Sequence, residues 1–207
     1  IDVDATLAKL EEMFGSLPRS ESFQWPTFPE HHPLAATRTE HLQNQKKNTG
    51  MVLMSYPVVS IYDEKTRSAL EVLSAILTGG SGAGGRLHEE LRGARLVYYV
   101  FGFQITGFAP GYYNFLSQTR PETVGEVVQR IEANLKQIRS EGIPAEEFQS
   151  AKEKLIAAHA MSNTTPAKQA FQAAIDELYG LGYDYDRGYD KRNQNVTVDD
   201  VKAVVET

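Results

Sequence analysis

Between Gly79 and Phe103 the chain reads GGSGAGGRLHEELRGARLVYYVFGF. This stretch restricts the fold more than any other. Five glycines within seven residues (Gly79 to Gly85) suit a loop, because glycine tolerates φ > 0 and close approach of neighbouring backbone. The charged run from Arg86 to about Arg95 predicts a short helix. Leu96-Val97-Tyr98-Tyr99-Val100-Phe101 then places apolar and aromatic side chains at six successive positions, which fits a largely buried strand and not a 3.6-residue period. The unit is therefore loop, helix, tight turn, strand.

That order has a chemical consequence. Arg92 stands near the helix end and Tyr98 near the strand head, so a guanidinium and a phenol can serve one surface. Arginine offers five donors in a planar fork, and tyrosine one donor on a rigid ring. Together they suit peptide carbonyls or a carboxylate. Regular alternation sends Tyr98 and Tyr99 to opposite faces, so only one of them can accompany Arg92. The plainer reading is that Arg92 pairs with Glu89 or another nearby acid and that Tyr98 is a core aromatic.

The flanking sequence supplies the rest of an α+β domain. Leu7, Leu10, Met13 and Phe14 share one side of a helix over about Asp4 to Phe14, with Asp2 or Asp4 as its cap. Met51 to Tyr56 reads as a strand closed by Pro57, and 63–77 as an apolar helix with Asp63 and Glu64 at its start. Ala109-Pro110-Gly111 joins the strand after Leu96 to another at 111–118. Helices follow over 122–139, from near Pro144, and over 166–178. GLGYDYDRGYDKR reads as a loop or broken turn, and Thr197 caps a last helix. The expected fold class is α+β, a mostly antiparallel sheet with helices packed on one face. One domain is expected to span 1–207, as part of a longer protein.

Several function classes fall away. A net charge of −6 argues against a nucleic-acid surface. With no cysteine, disulfides, thiolate metal sites and a cysteine nucleophile are excluded. No apolar run has the length of a membrane span. Gly80-x-Gly82-x-x-Gly85 matches the letters of the dinucleotide fingerprint, but that fingerprint follows a strand, and here a helix precedes it.

The run ALEVLSAILTGG, then GRLHEELR, then LVYYVF resembles the C-terminal-type domain of the pitrilysin and mitochondrial-processing-peptidase (insulinase-type) zinc proteases. The resemblance extends to IDVDATLAKLEEMFGSLP at the start, to EGIPAEEFQSAKEKL, and to NVTVDDVKAV at the end. It implies a processing-peptidase-like fold and a role in cleaving peptides or unfolded polypeptides. It further implies that an arginine and a tyrosine hold the substrate backbone opposite the zinc site. By motif these are Arg92 and Tyr98, and the glycine loop (Gly80, Gly82, Gly84, Gly85) borders the substrate chamber. The turn is one residue shorter than the family pattern and lacks a glycine before Leu96. This keeps Tyr99 as an alternative to Tyr98, although the apolar strand pattern favours Tyr98.

The family's zinc motif is H-x-x-E-H, in which two histidines bind metal and the glutamate activates water. None of His31, His32, His41, His88 and His159 has those partners. His159 is expected to be a surface or interhelix residue. The resemblance therefore implies no catalytic residue and no metal ligand in this chain. Zinc is expected in a partner domain or subunit of the same family, and a peptide is the expected substrate. The alternative is a non-proteolytic scaffold or core subunit of the same fold. The compartment stays open between bacterial periplasm and cytoplasm.

Overall fold

Asp63 starts the principal helix by accepting hydrogen bonds from the Thr66 backbone N–H and hydroxyl. In the computed structural model, which describes residues 2–18, 27, 35–42, 44, 46–80 and 84–206, this helix runs Glu64–Thr78. It ends at Gly79, in the left-handed region at φ 76°. Residues 1–30 and 31–207 form two compact units. The first contains α1 (Val3–Phe14), capped by Asp2, which buries none of its residues.

The second unit contains β1 (Gly50–Pro57), α2 (Glu64–Thr78), a π-helical turn at His88–Arg92, β2 (Val97–Ile105), β3 (Tyr112–Thr119), α3 (Val124–Glu141), α4 (Ala145–Ser162), α5 (Pro166–Leu178), α6 (Tyr189–Asn195) and α7 (Val198–Glu206). The three strands form an antiparallel sheet in the order β1-β3-β2. The fold is the expected α+β class. His31, His32 and Gly82 lie outside the described residues.

Helices cover one face of the sheet. α2 packs along β2 and α3 along β1. Register places Val52, Ser117 and Val100 in one row and Met54, Phe115 and Gly102 in the next. Val52, Val100 and Phe115 join Leu70, Leu73 and Leu77 of α2 and Val127, Ile131 and Ile138 of α3 in one core. The α3 residues are spaced four and seven apart, as a helix with one buried stripe requires. α4, α6 and α7 pack against α2 from behind.

Two regions differ from the sequence reading. Residues 180–192, read as loop or broken turn, contain a 3₁₀ turn (Tyr185–Gly188) and the first part of α6. α6 is polar and short, and tertiary partners hold it. Lys152 donates to the carbonyls of Gln194 in the last turn of α6 and Val196 just past its end, and buried Asn193 donates to Glu71 on α2. The second difference lies in β2, where the pairing skips Tyr98.

Candidate substrate-facing site

The glycine loop is pinned to the end of α2. Gly79, Gly80, Gly84 and Gly85 all have positive φ. At Gly85 a Cβ would lie 2.6 Å from the Gly79 nitrogen and 2.7 Å from the Leu77 carbonyl carbon, so this return can only be made by glycine. Arg86 then forms a two-pronged ion pair with Glu147 of α4, Nε and Nη2 each 2.6 Å from a carboxylate oxygen. Leu87 and Leu91, four apart and fully buried, seat the motif helix on the core.

A buried polar cluster fixes β2 against the same end of α2. The Thr78 hydroxyl accepts from the Gly102 backbone N–H at 3.0 Å, and the Ser74 hydroxyl donates to the Gly102 carbonyl. Tyr113 of β3 donates to Ser74 at 3.1 Å. A Cβ at Gly102 would collide with the Tyr113 hydroxyl and lie 3.1 Å from Thr78 Oγ1. Burial raises the Tyr113 phenol above its ordinary range, so the ring acts as a neutral donor.

The motif helix closes in a Schellman arrangement around its π-helical turn. Leu96 N–H donates to Leu91 C=O, and Arg95 N–H to Arg92 C=O. Arg95 takes the left-handed position that glycine usually fills, at φ 56°. The missing glycine of the turn is thus replaced by a strained arginine. Just beyond it, Val97 pairs with Thr119 and Tyr99 with Gln118, which leaves Tyr98 as an extra residue in a β-bulge. The turn is followed by a strand one residue longer than its partner.

The bulge changes which way the tyrosines go. Val97 and Val100, three residues apart, are both buried. Tyr98 and Tyr99 both fall outside that buried row, contrary to the strict alternation expected from sequence. Tyr98 is 59% exposed. Tyr99 is half-buried, and its ring lies 5.1 Å from that of Phe101. Arg92 is exposed. Among the described residues neither Arg92 nor Tyr98 has a side-chain hydrogen bond, ion pair or ring contact. Glu90 of the motif is committed elsewhere, accepting from Arg130 and Asn134 of α3.

The sheet face opposite the helices continues from these tyrosines. Leu53, Leu116 and Phe101 form one cross-strand row, and Ser55, Asn114 and Phe103 the next. Met51, Leu53, Phe103, Ile105 and Tyr112 are exposed on it. No signal short of the bulge itself would have revealed that Tyr99 shares this side with Tyr98.

A separate polar cavity of about 220 Å³ lies among α2, α4, α5 and α6. Asp186 accepts from His159 at 2.9 Å and from Asn163 at 2.6 Å, and the His159 ring stacks on Tyr189 at 3.8 Å. His159 is therefore an interhelix residue. Burial raises the Asp176 carboxyl, and one of its oxygens has no partner among the described residues. No cluster of three or more His, Cys, Asp or Glu able to hold a metal occurs among the described residues. No helix among them is long and apolar enough to cross a membrane.

The family model described as "Peptidase M16 inactive domain" matches residues 1–155. The chain belongs to the M16 peptidase family. A search of curated proteins gives no match. Among solved structures, this M16 chain resembles a protease from Helicobacter pylori with a TM-score of 0.84 and 19% identity, over 100% of this chain and 49% of that one. It also resembles the peptidase M16 inactive domain from Pseudomonas fluorescens (TM-score 0.66, 23% identity, 76% of this chain and 37% of that one). Pitrilysin matches with a TM-score of 0.57 and 18% identity, over 78% of this chain and 17% of its own length. The chain thus spans about half the length of the Helicobacter protease. At these identities the structural likeness shows the fold, and the family rests on the domain model.

Proposed function

We propose that residues 1–207 act as one non-zinc, substrate-binding portion of an M16 zinc endopeptidase that cleaves peptides or unfolded polypeptides. The observation that carries this reading is the availability of Arg92 and Tyr98. Both are exposed beside the same short turn, and neither is used internally among the described residues. A solvated, unpaired guanidinium and phenol can donate to backbone carbonyls of an extended chain without first breaking a contact. The pinned glycine loop and the polar cluster at Gly102 fix the elements that bear them, so little order is lost on binding. Tyr99 lies on the same side of β2 and widens the contact, and Gly80, Gly84 and Gly85 border it.

The residues described do not fit a zinc ion, and the sequence has no H-x-x-E-H. Metal-activated water would come from the zinc-bearing domain or subunit that accompanies this chain. The role of these 207 residues is to bind and align the peptide.

Arg92→Ala in the complete protease tests the reading. Loss of one charge-assisted contact is expected to lower kcat/KM for a peptide by about tenfold to a hundredfold, the equivalent of ~1.5–3 kcal/mol. The unfolding midpoint should not move. Unchanged cleavage would remove Arg92 from the site and favour the scaffold alternative.

A further inference from the structure

We propose that the polar cavity among α2, α4, α5 and α6 is a binding site for a free amino acid, held by its ammonium on Asp176 and Asn193 and by its carboxylate on Arg67. The cavity shares no residue with the peptide contact at β2.

Three buried atoms support the assignment. Asp176 is 3% exposed and Asn193 is fully buried, and both line the cavity together with Arg67. Asp176 Oδ1 accepts from Gln172 Nε2 at 2.9 Å, while Oδ2 has no partner among the described residues. Asn193 donates its amide N–H groups to Glu71 at 3.3 Å and to the Tyr189 carbonyl at 3.2 Å, and its Oδ1 has no partner among the same residues. Arg67 Nη1 donates to the Ile61 carbonyl at 2.8 Å, and its buried Nε is likewise unpaired among them. Buried polar atoms are nearly always paired, so three such atoms around one cavity point to the atoms of a ligand.

Their chemistry selects that ligand. Two acceptors call for N–H donors, and a positive charge on the donor offsets the burial that disfavours the Asp176 carboxylate. The guanidinium N–H calls for an anionic oxygen. A plain amine would leave Arg67 Nε without a partner. A plain carboxylate would meet Glu71, Asp176 and Asp186 against only two guanidiniums, Arg67 and Arg192. A zwitterion answers both demands. The cavity of about 220 Å³ has room for about seven waters, or for one molecule the size of leucine.

The ligand's side chain also has a place. His159, Gln172 and Asp186 line both this cavity and an adjoining groove of about 430 Å³ that contains Ala167 and Phe171. The Phe171 side chain is 68% exposed, and an apolar side chain passing Gln172 would cover part of it. An apolar amino acid is the expected class.

Isothermal titration calorimetry on the complete protease tests this with three probes: L-leucine, isopentylamine, which lacks the carboxylate, and isocaproate, which lacks the ammonium. L-Leucine is expected to bind at one site, and each analogue at least about tenfold more weakly, because each loses a charge-assisted contact. Asp176→Asn retains an acceptor for Gln172 and should weaken L-leucine by about tenfold to a hundredfold. Arg67→Lys keeps the charge, removes Nε and should weaken it by a similar factor; it decides the matter if Asp176→Asn does not fold. No binding of L-leucine would mean that water alone fills the cavity, and would overturn the proposal. So would an analogue that binds as tightly as L-leucine, or L-leucine binding that survives these substitutions and therefore lies elsewhere. Since the cavity and the Arg92 site have no residue in common, either reading can fail without the other.

Discussion

The two faces of the three-stranded sheet are built from the same strands and differ in almost every other respect. The helix-covered face buries Val52, Val100 and Phe115 and fixes its polar atoms through Ser74, Thr78 and Tyr113. The open face exposes Met51, Leu53, Ile105 and Tyr98, with Ser55 donating to Asn114 between β1 and β3. Both faces carry apolar residues, so hydrophobicity alone does not separate them. Coverage by α2 and α3 does. One face holds the fold together, and the other is left available for contact, with the arginine and tyrosine of the proposed site at its edge.

Paired substitutions would break this comparison most sharply. Phe115→Ala on the covered face should cost about 3–5 kcal/mol of stability, from lost burial and an unfilled cavity. Ile105→Ala on the open face should cost under about 1 kcal/mol. Denaturant unfolding of both variants measures the difference, and similar costs would mean that the open face is packed.

Gly102→Ala probes the seam between β2 and α2. Its new methyl would strike the Tyr113 hydroxyl, so a loss of about 1–3 kcal/mol is expected. Replacing Tyr113 with Phe in the same chain should recover part of that loss.

Arg95→Gly acts at the turn feeding the open face. Glycine removes the cost of a side chain at φ 56° but adds freedom to the unfolded chain. A net gain of roughly 0.5–1 kcal/mol is expected. Unfolding data showing a loss would mean that the arginine side chain does more for the turn than its backbone conformation costs.

The smallest effect concerns pH, at the helices behind the covered face. Lys65 donates to Asp200 and, with the Thr197 N–H and hydroxyl, holds its carboxyl down to about 2 from 3.8, against the opposing effect of burial. A lowered folded-state value means stability that is present above about pH 4 and is lost as pH falls toward 2. The unfolding midpoint should drop over that range, and Asp200→Asn should flatten the drop. A variant with the same acid profile would assign the loss to other groups.

Much of this architecture was legible from the residues. Of the two caps offered for α1 the structure uses Asp2, Asp63 stands at the expected helix start and caps it, and Thr197 forms a reciprocal capping pair with Asp200. The α3 stripe lies buried at the expected spacing, and α5 occupies the expected span. α6 was not legible, because polar residues 189–195 carry no apolar period and the helix depends on Lys152, Asn193 and the stacking of Tyr189 on His159.

Local periodicity and motif order were enough to settle the α+β class, the glycine loop, the M16 resemblance and the lack of a zinc motif, because each depends only on neighbours along the chain. Tertiary structure decided that Tyr98 bulges out of β2, that Tyr99 joins it on one side, and that Glu90 turns to α3. The reason is physical: a bulge exists only relative to a partner strand, and an ion pair only relative to what packs nearby. Neither is written in the spacing of the residues that make it.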